Sequence, residues 1–378
     1  MESRLADTLR RMDWLLTAAV FVIVAIGLVS LASLSVTSEF PFFTRQLVWV
    51  ALGIVAFLVV AFFDYRIFRN YGGLLLAGYL LLVSALAMLL LFGREVRGVT
   101  SWFRIGSFGI EPGEFVKVVL ILILAKYFSR RHVEIYRLRH LIISGIYVAI
   151  PLVLVLIQPD LGTAAILGML WFGIVVSAGI KIRHLIIFFV LGIAVLLLGW
   201  EFLLAPYQQV RILSFLNPWH DPLGSGYNAI QSMIAVGSGR IFGKGLGYGS
   251  QTHLNFLPEP GTDFIFAAFA EEWGFVGVVF LLFLYGILFW RLFRIGMRAG
   301  DNFARLVILG TATILFVHLM IHIGMNVGIL PITGIPLPFL SYGGSSILAT
   351  LILLGIVQSI AIRSLKSGTL PRGEGVLS

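Results

Sequence analysis

The chain has 378 residues, of which 59% are hydrophobic and only 12% are charged. Its mean hydropathy is +1.00, whereas a soluble domain carries about 25% charged residues. This composition excludes an ordinary soluble domain and predicts a polytopic membrane protein. The absence of Cys excludes disulfides and thiolate metal sites. We expect a single membrane domain over 1–378.

The apolar runs predict an all-α fold with about ten transmembrane helices. In chain order their approximate ranges are 14–36, 42–63, 72–92, 113–129, 141–157, 161–180, 185–204, 262–290, 303–327 and 341–362. Each run is long enough, or nearly so, to cross ~30 Å of hydrocarbon. The first is too long for the apolar part of a signal peptide, so we expect it to remain in the membrane.

The net charge of +9 would suit a nucleic-acid partner, but the positions of the cations indicate membrane orientation instead. Of the 27 Lys and Arg residues, 19 fall in segments on the same side of the membrane as the N-terminus, and eight fall on the other side. The positive-inside rule therefore predicts that both termini, 1–13 and 364–378, are cytoplasmic. We expect contacts with membrane lipids and no nucleic-acid partner.

The predicted external side contains the long connections. These are 93–112 and the much longer loop 205–261 between spans seven and eight, whose length favours a function. The turn 328–340 has no charge and three prolines. Because such backbone is tolerated at membrane depth where it lines a protein cavity, we expect a partly re-entrant segment there.

Residues 251–274 change from a polar, proline-containing loop into an apolar helix at Thr262-Asp263. A carboxylate at the mouth of a membrane span is costly. Two interpretations remain open. Thr262 or Asp263 could be the N-cap of the eighth span, or Asp263 could be an external catalytic carboxylate that acts as a general base. Capping alone does not explain why Glu271 and Glu272 follow in the same apolar run.

Three further polar residues lie at or next to the start of predicted spans. Glu114 and Lys117 are three residues apart and share one helix face, so they form either a self-neutralising ion pair or part of a polar cavity. Asp160 follows Pro159 between two spans, where a turn and helix cap compete with a functional role.

The segment 237–249 has glycine at 237, 239, 243, 245, 247 and 249, interleaved with Arg240 and Lys244. Exposed backbone N–H groups and two cations could cradle a phosphate, although the segment is not a Walker A motif and a flexible loop is the alternative. Arg211, Gln231 and His253 are further polar candidates in the same long loop.

Other polar groups favour structural roles. His318 and His322 are four residues apart with no Cys or carboxylate within a turn, so hydrogen-bonded packing is favoured over a metal site. The run SYGGSS at 341–346 permits close helix approach. The basic run 126–140 is able to attract anionic lipid headgroups.

Together these stretches resemble the SEDS family (shape, elongation, division and sporulation) of polytopic peptidoglycan polymerases. The matching blocks are SWFRIGSFGIEPGEFVK at 101–117, QPDLGT at 158–163, residues 226–249, FLPEPGTDFIFAAFAEE at 256–272 and GIPLPFLSYGGSS at 334–346. The last two are most similar to the shape and elongation branch. This chain departs from the family pattern at three places. Gly113 stands where the family usually has Ser, and Glu111 stands where it often has Gln. Pro260-Gly261 replaces a more polar pair.

The resemblance implies a glycosyltransferase that polymerises lipid II on the outer face of the bacterial plasma membrane, with a class B penicillin-binding protein as its transpeptidase partner. The family's essential carboxylate maps onto Asp263, its Glu/Lys pair onto Glu114 and Lys117, and the Asp of its QPDLGT motif onto Asp160.

The expected chemistry inverts the donor sugar, because an α-linked pyrophosphate gives a β-linkage. Asp263 is the expected base. Arg211, Arg240 and Lys244 are candidates for the leaving pyrophosphate, together with a divalent cation such as Mg²⁺ or Mn²⁺. Two other functions remain open: a lipid II flippase, and a non-catalytic scaffold that recruits a transpeptidase.

Overall fold

The computed structural model describes residues 9–36, 40–93, 100–105, 108–130, 138–179 and 206–367, with scattered residues between 180 and 205. In chain order the helices are α1 (Trp14–Leu34), α2 (Phe42–Phe62), α3 (Arg66–Asn70), α4 (Gly72–Phe92), α5 (Pro112–Ser129), α6 (Leu138–Ile157), α7 (Leu161–Ser177), α8 (Pro206–Leu216), α9 (Tyr227–Ser238), α10 (Ser250–His253), α11 (Ile265–Arg298), α12 (Asn302–Asn326) and α13 (Gly344–Ser367). The antiparallel strands β1 (Phe103–Ile105) and β2 (Phe108–Ile110) form a small hairpin before α5.

The all-α prediction is confirmed. Within the described residues, seven helices are long and apolar enough to cross a membrane: α1, α2, α4, α6, α11, α12 and α13. The helix α5 carries three charged residues in its 18, and α7 has 17 residues. Nine predicted spans thus coincide with helices, whereas the prediction at 185–204 lies mostly outside the described residues, so the total of ten stays a prediction.

Helix α5 lies at the centre of the bundle. It contacts α4, α7, α12 and α13, and Leu120, Leu124 and Ala125 on it are fully buried. By contrast, outer helices present large apolar side chains at the surface, such as Leu81 at 69% and Ile142 at 62% exposed. A surface of this kind suits contact with lipid rather than water.

Helix α11 is broken at Gly274, whose φ of 66° and ψ of −169° are not helical. A break of this kind leaves backbone groups without their usual partners. The segment 240–245 of the long loop supplies those partners. The N–H groups of Phe275 and Val276 donate to the carbonyls of Arg240 and Ile241, and the N–H groups of Lys244 and Gly245 donate to the carbonyls of Glu271 and Glu272, at 2.9–3.0 Å.

Glycine is required on both sides of this contact. A Cβ at Gly243 would lie 2.1 Å from the carbonyl oxygen of Glu272, and a Cβ at Gly274 would lie 2.1 Å from the nitrogen of Gly243. Residues 240–245 of the glycine-rich segment therefore form a backbone strap across a broken helix, at the surface of the protein.

Candidate active site

An irregular segment between α12 and α13 forms the base of the site. It runs through 331–340, and its side chains Ile335, Leu337 and Leu340 are at most 2% exposed. Three of its carbonyls accept hydrogen bonds from helix side chains, namely Ile335 from His322 Nδ1 (2.7 Å), Pro336 from His318 Nδ1 (3.2 Å) and Pro338 from the Tyr285 hydroxyl. These bonds satisfy polar backbone that would otherwise be costly to bury.

The carbonyl partners determine the histidine tautomers. A carbonyl only accepts, so His318 and His322 each carry the ring proton on Nδ1. His318 Nε2 is then an acceptor, and it lies 3.3 Å from Lys117 Nζ. The prediction of packed, hydrogen-bonded histidines is confirmed. In the described part of the chain, no group of three His, Cys, Asp or Glu residues is placed to hold a metal.

The predicted Glu114–Lys117 pair is present inside the bundle. Lys117 Nζ lies 2.7 Å from Glu114 Oε2, and the two side chains are 4% and 6% exposed. Lys117 therefore donates to both Glu114 and His318, which links α5 to α12. A cavity of about 10 Å³ adjoins the three side chains, which is room for about one water molecule. In this conformation the two charges of the pair neutralise each other.

Asp160 is the N-cap of α7. Its Oδ1 accepts from the Thr163 N–H at 2.9 Å, and its Oδ2 accepts from the Ser101 hydroxyl at 3.4 Å. This arrangement confirms the capping geometry predicted for the turn. Near it, at the start of α5, burial and the negative charges of Glu114 and Asp160 raise the pKa of Glu111 well above its ordinary value. The N-terminal end of α5 therefore concentrates carboxyl groups.

Asp263 does not cap α11. The helix begins at Ile265, and its N-cap Phe264 makes no side-chain hydrogen bond. Asn326 of α12 supplies the cap instead, because its Oδ1 accepts from the Ala267 N–H at 3.1 Å. The same amide donates to the carbonyl of Asp263 at 3.0 Å. The capping interpretation of Thr262 and Asp263 is therefore wrong, since a long-range side chain replaces the local one.

The turn that carries Asp263 is fixed by the chain after the irregular segment. The Ser341 hydroxyl donates to the Thr262 carbonyl at 3.0 Å, and the Tyr342 N–H donates to the Gly261 carbonyl at 2.8 Å. These bonds hold the Asp263 carboxylate beside Gly334, where a Cβ would lie 3.9 Å from Oδ2. Asp263 is only partly buried.

Three predicted positions that are distant in sequence meet on the segment 333–338. Asp263 lies beside Gly334. In the Asp160 turn, a Cβ at Gly162 would lie 2.8 Å from the Thr333 carbonyl. Lys117 contacts Nε2 of His318, and Nδ1 of the same ring donates to the carbonyl of Pro336. The uncharged, proline-rich segment is thus the common wall of the site.

The predicted cations lie elsewhere, in the long loop. Lys244 Nζ donates to Glu271 Oε1 and to the Ser250 hydroxyl, both at 2.7 Å. Arg240 and Arg211 are exposed side chains, Arg240 on the strap and Arg211 on α8. The Lys244 ammonium thus already has an anionic partner in the protein, while the two arginines face outward.

Glu271 and Glu272 anchor the loop, a role that the sequence did not suggest. Glu271 is fully buried and accepts from Lys244, from the Gln251 and Thr252 N–H groups, and from the Thr252 hydroxyl at 2.6 Å. Glu272 accepts from the Ser33 hydroxyl (2.6 Å), the Gly247 N–H (3.0 Å) and His253 Nε2 (2.9 Å). Two acids in an apolar helix next to a polar loop are the pattern that could have indicated this role.

The fold and the site together define a polytopic α-helical membrane protein with a polar site at one end of its bundle. A family model described as a cell cycle protein, covering the FtsW, RodA and SpoVE proteins, matches residues 10–366. The chain belongs to this family, the SEDS proteins.

Individual relatives agree over nearly the whole chain. Stage V sporulation protein E of Bacillus subtilis is 37% identical over 360 residues, which cover 92% of this chain and 96% of that protein. The peptidoglycan glycosyltransferase RodA of Treponema pallidum is 34% identical, with coverage of 93% and 98%. In a solved peptidoglycan synthase complex that coordinates polymerization and crosslinking, one chain matches with a TM-score of 0.78 and 34% identity, covering 93% of this chain and 97% of that one.

Proposed function

We propose that this protein is a peptidoglycan glycosyltransferase that polymerises lipid II into glycan strands during cell elongation. Relatives that match over 84–98% of their own length carry the name peptidoglycan glycosyltransferase. The site adds a reason from chemistry. Asn326, not Asp263, caps α11, so helix capping does not account for a carboxylate at the mouth of a membrane helix.

Asp263 is the proposed general base. It would take the proton from the acceptor hydroxyl as that oxygen attacks the donor sugar carbon. The bond from that carbon to the pyrophosphate breaks with inversion, and the pyrophosphate leaves with the electron pair. The side chain of Asn326 holds the backbone of Asp263, and Ser341 and Tyr342 hold the turn that carries Asp263. A base fixed in this way loses little entropy when the acceptor arrives.

The remaining site residues have supporting roles in this proposal. Glu114 and Lys117 line the region that the lipid-linked substrate approaches, and Asp160 holds the α7 turn against the segment 333–338. Arg211 and Arg240 are the better candidates for the pyrophosphate, because both are exposed. The ammonium group of Lys244 is already paired with Glu271, so Lys244 would contact the pyrophosphate only while sharing that group with Glu271.

Within the described residues no cluster of His, Cys, Asp or Glu side chains fits a metal ion, so the proposed mechanism contains no metal-dependent step. A requirement for Mg²⁺ or Mn²⁺ stays a prediction, to be measured by polymerisation in chelator with each ion added back.

The proposed partner is a class B penicillin-binding protein that crosslinks the new strands. Support comes from the solved complex that coordinates polymerization with crosslinking and contains a chain of this fold. The proposed location is the bacterial plasma membrane, with both termini in the cytoplasm and Asp263 on the outer side, in accord with the distribution of Lys and Arg.

The test is polymerisation of labelled lipid II by the purified protein with its partner. We expect Asp263→Asn to lower the rate by about 10²–10⁴-fold, with the complex intact. The control is Asp221→Asn, an exposed acid in the same long loop, and it should retain the wild-type rate. Polymer formation by Asp263→Asn at the wild-type rate would contradict the assignment. Transport of lipid II across liposomes without any polymer would favour a flippase instead.

A further inference from the structure

A second polar feature lies at the opposite end of the bundle from Asp263. Between α4, α5 and α6 there is a cavity of about 450 Å³, which is within the range of small-ligand sites. Its polar end is formed by Lys126 in the last turn of α5, by Arg130 at the C-cap of that helix and by Gly72 at the start of α4. This is the end that the distribution of Lys and Arg assigns to the cytoplasm.

The rest of the cavity is apolar and opens sideways. Leu75, Leu76 and Ile123 line it further along the helices, and Leu76 is 46% exposed at the lipid-facing surface. Tyr147 of α6 closes it toward the middle of the bundle, where its carbonyl accepts from the Tyr79 hydroxyl at 2.9 Å. The cavity is therefore a groove with a cationic end and an apolar body.

Among the described residues, the walls of the groove supply no negative charge. Those that line it include two cations and no acid. Lys126 Nζ contacts the carbonyl of Phe68 at 3.5 Å, which is a neutral partner. Lys126 and Arg130 are four residues apart on one helix face, where like charges repel. An anion placed between them would relieve that repulsion.

A neighbouring cavity of about 540 Å³ extends the positive region. It shares Arg130 and adds Arg69, Arg305 and Asp301. Asp301 accepts from Arg69 Nη1 at 3.0 Å and caps α12 through the Ala304 N–H at 2.8 Å. Its single charge therefore offsets one of the three arginines, and among the described residues the excess around Arg130 remains positive.

We propose that this groove binds one anionic phospholipid of the cytoplasmic leaflet, with its phosphate between Lys126 and Arg130 and an acyl chain along Leu76 and Ile123. The occupant is a lipid rather than a free anion, because the groove combines a phosphate-sized cationic end with an apolar body that opens to the bilayer. Cation pockets between helices at the cytoplasmic surface have this chemistry. The proposed lipid site is separate from the proposed transferase activity, and it depends only on the orientation of the protein in the membrane.

The test measures lipid binding to the full chain by native mass spectrometry in detergent. The probes are phosphatidylglycerol and phosphatidylcholine. We expect preferential binding of phosphatidylglycerol, weakened about 30-fold by Lys126→Gln with Arg130→Gln, because each cation near the surface contributes about 1 kcal/mol. The matched control is Arg298→Gln, a cation at the same end of the bundle outside both cavities, and it should leave the affinity unchanged.

A second variant keeps the cations and fills the groove. Leu76→Trp, on an exposed apolar wall, should lower phosphatidylglycerol binding without changing the thermal unfolding of the protein. Equal binding of the two lipids, an equal loss with Arg298→Gln, or undiminished binding by the double variant would overturn the proposal. Displacement of bound phosphatidylglycerol by millimolar inorganic phosphate would also overturn it, because the groove would then be a free-anion site.

Discussion

The buried Glu114–Lys117 pair permits a double-mutant cycle that separates its two interpretations. At the observed 2.7 Å, the attraction between unit charges is about 6 kcal/mol at an effective dielectric constant of 20. Removing one partner leaves a buried charge and should cost about 3–5 kcal/mol, as for other buried pairs. Replacing both charges removes the desolvation cost together with the attraction.

We therefore expect Lys117→Met and Glu114→Gln each to lower the free energy of unfolding by about 3–5 kcal/mol, and the double variant to lie within about 2 kcal/mol of wild type. The coupling energy should be about 4 kcal/mol or more. The wild type, the two single variants and the double variant are each unfolded in detergent solution with sodium dodecyl sulfate. The loss of helix is monitored to obtain the free energy of unfolding of each protein. Additivity within about 0.5 kcal/mol would refute the reasoning, because it would mean that the two charges do not interact.

Activity of the double variant distinguishes the two roles. If the pair lines the substrate region, the double variant should be stable yet inactive in lipid II polymerisation. A double variant that regains both stability and activity would show that the pair only neutralises itself.

Three further predictions follow from particular contacts. Gly274→Ala should detach the strap at Gly243, because its Cβ would meet the Gly243 nitrogen at 2.1 Å, and limited proteolysis should then cleave the long loop faster than in wild type. Asn326→Ala should lower the free energy of unfolding by about 1–3 kcal/mol for each polar group left unpaired, as measured by thermal unfolding. Asp263→Asn should keep wild-type stability. Equal losses of stability in the two variants would contradict the assignment of the cap to Asn326 and the base to Asp263. Burial raises the pKa of Glu111 above its ordinary value of 4.5, so its stabilising contribution is present below that value and is lost as pH rises through the folded-state pKa. Glu111→Gln should therefore match wild type near pH 4 and become progressively more stable than wild type at higher pH, and a constant difference in unfolding temperature would refute this.

The fold was predictable where one local rule determined the outcome. Hydrocarbon thickness requires apolar runs of a certain length, and the ranges 72–92 and 113–129 coincide closely with α4 and α5. Likewise, helical spacing brings Glu114 to Lys117, and a proline turn makes Asp160 a cap. The last two depend only on residues within one helical turn.

Long-range contacts limited the prediction elsewhere. An Asp at the start of a helix ordinarily indicates an N-cap, but Asn326 replaces it from another helix. The break at Gly274 was not visible, because an isolated glycine in an apolar helix is usually tolerated and its partners come from residues 240–245. The contact between Lys117 and His318 joins residues about 200 positions apart, which no periodicity encodes.

The central claim is that Asp263 acts as a base rather than as a structural or binding group. Single-turnover polymerisation of lipid II, with substrate affinity measured on the same samples, tests it most directly. We expect Asp263→Asn to bind lipid II within about threefold of wild type while its chemical step slows by about 10²–10⁴-fold. A variant whose chemical step keeps the wild-type rate, or whose loss lies entirely in lipid II affinity, would contradict the claim.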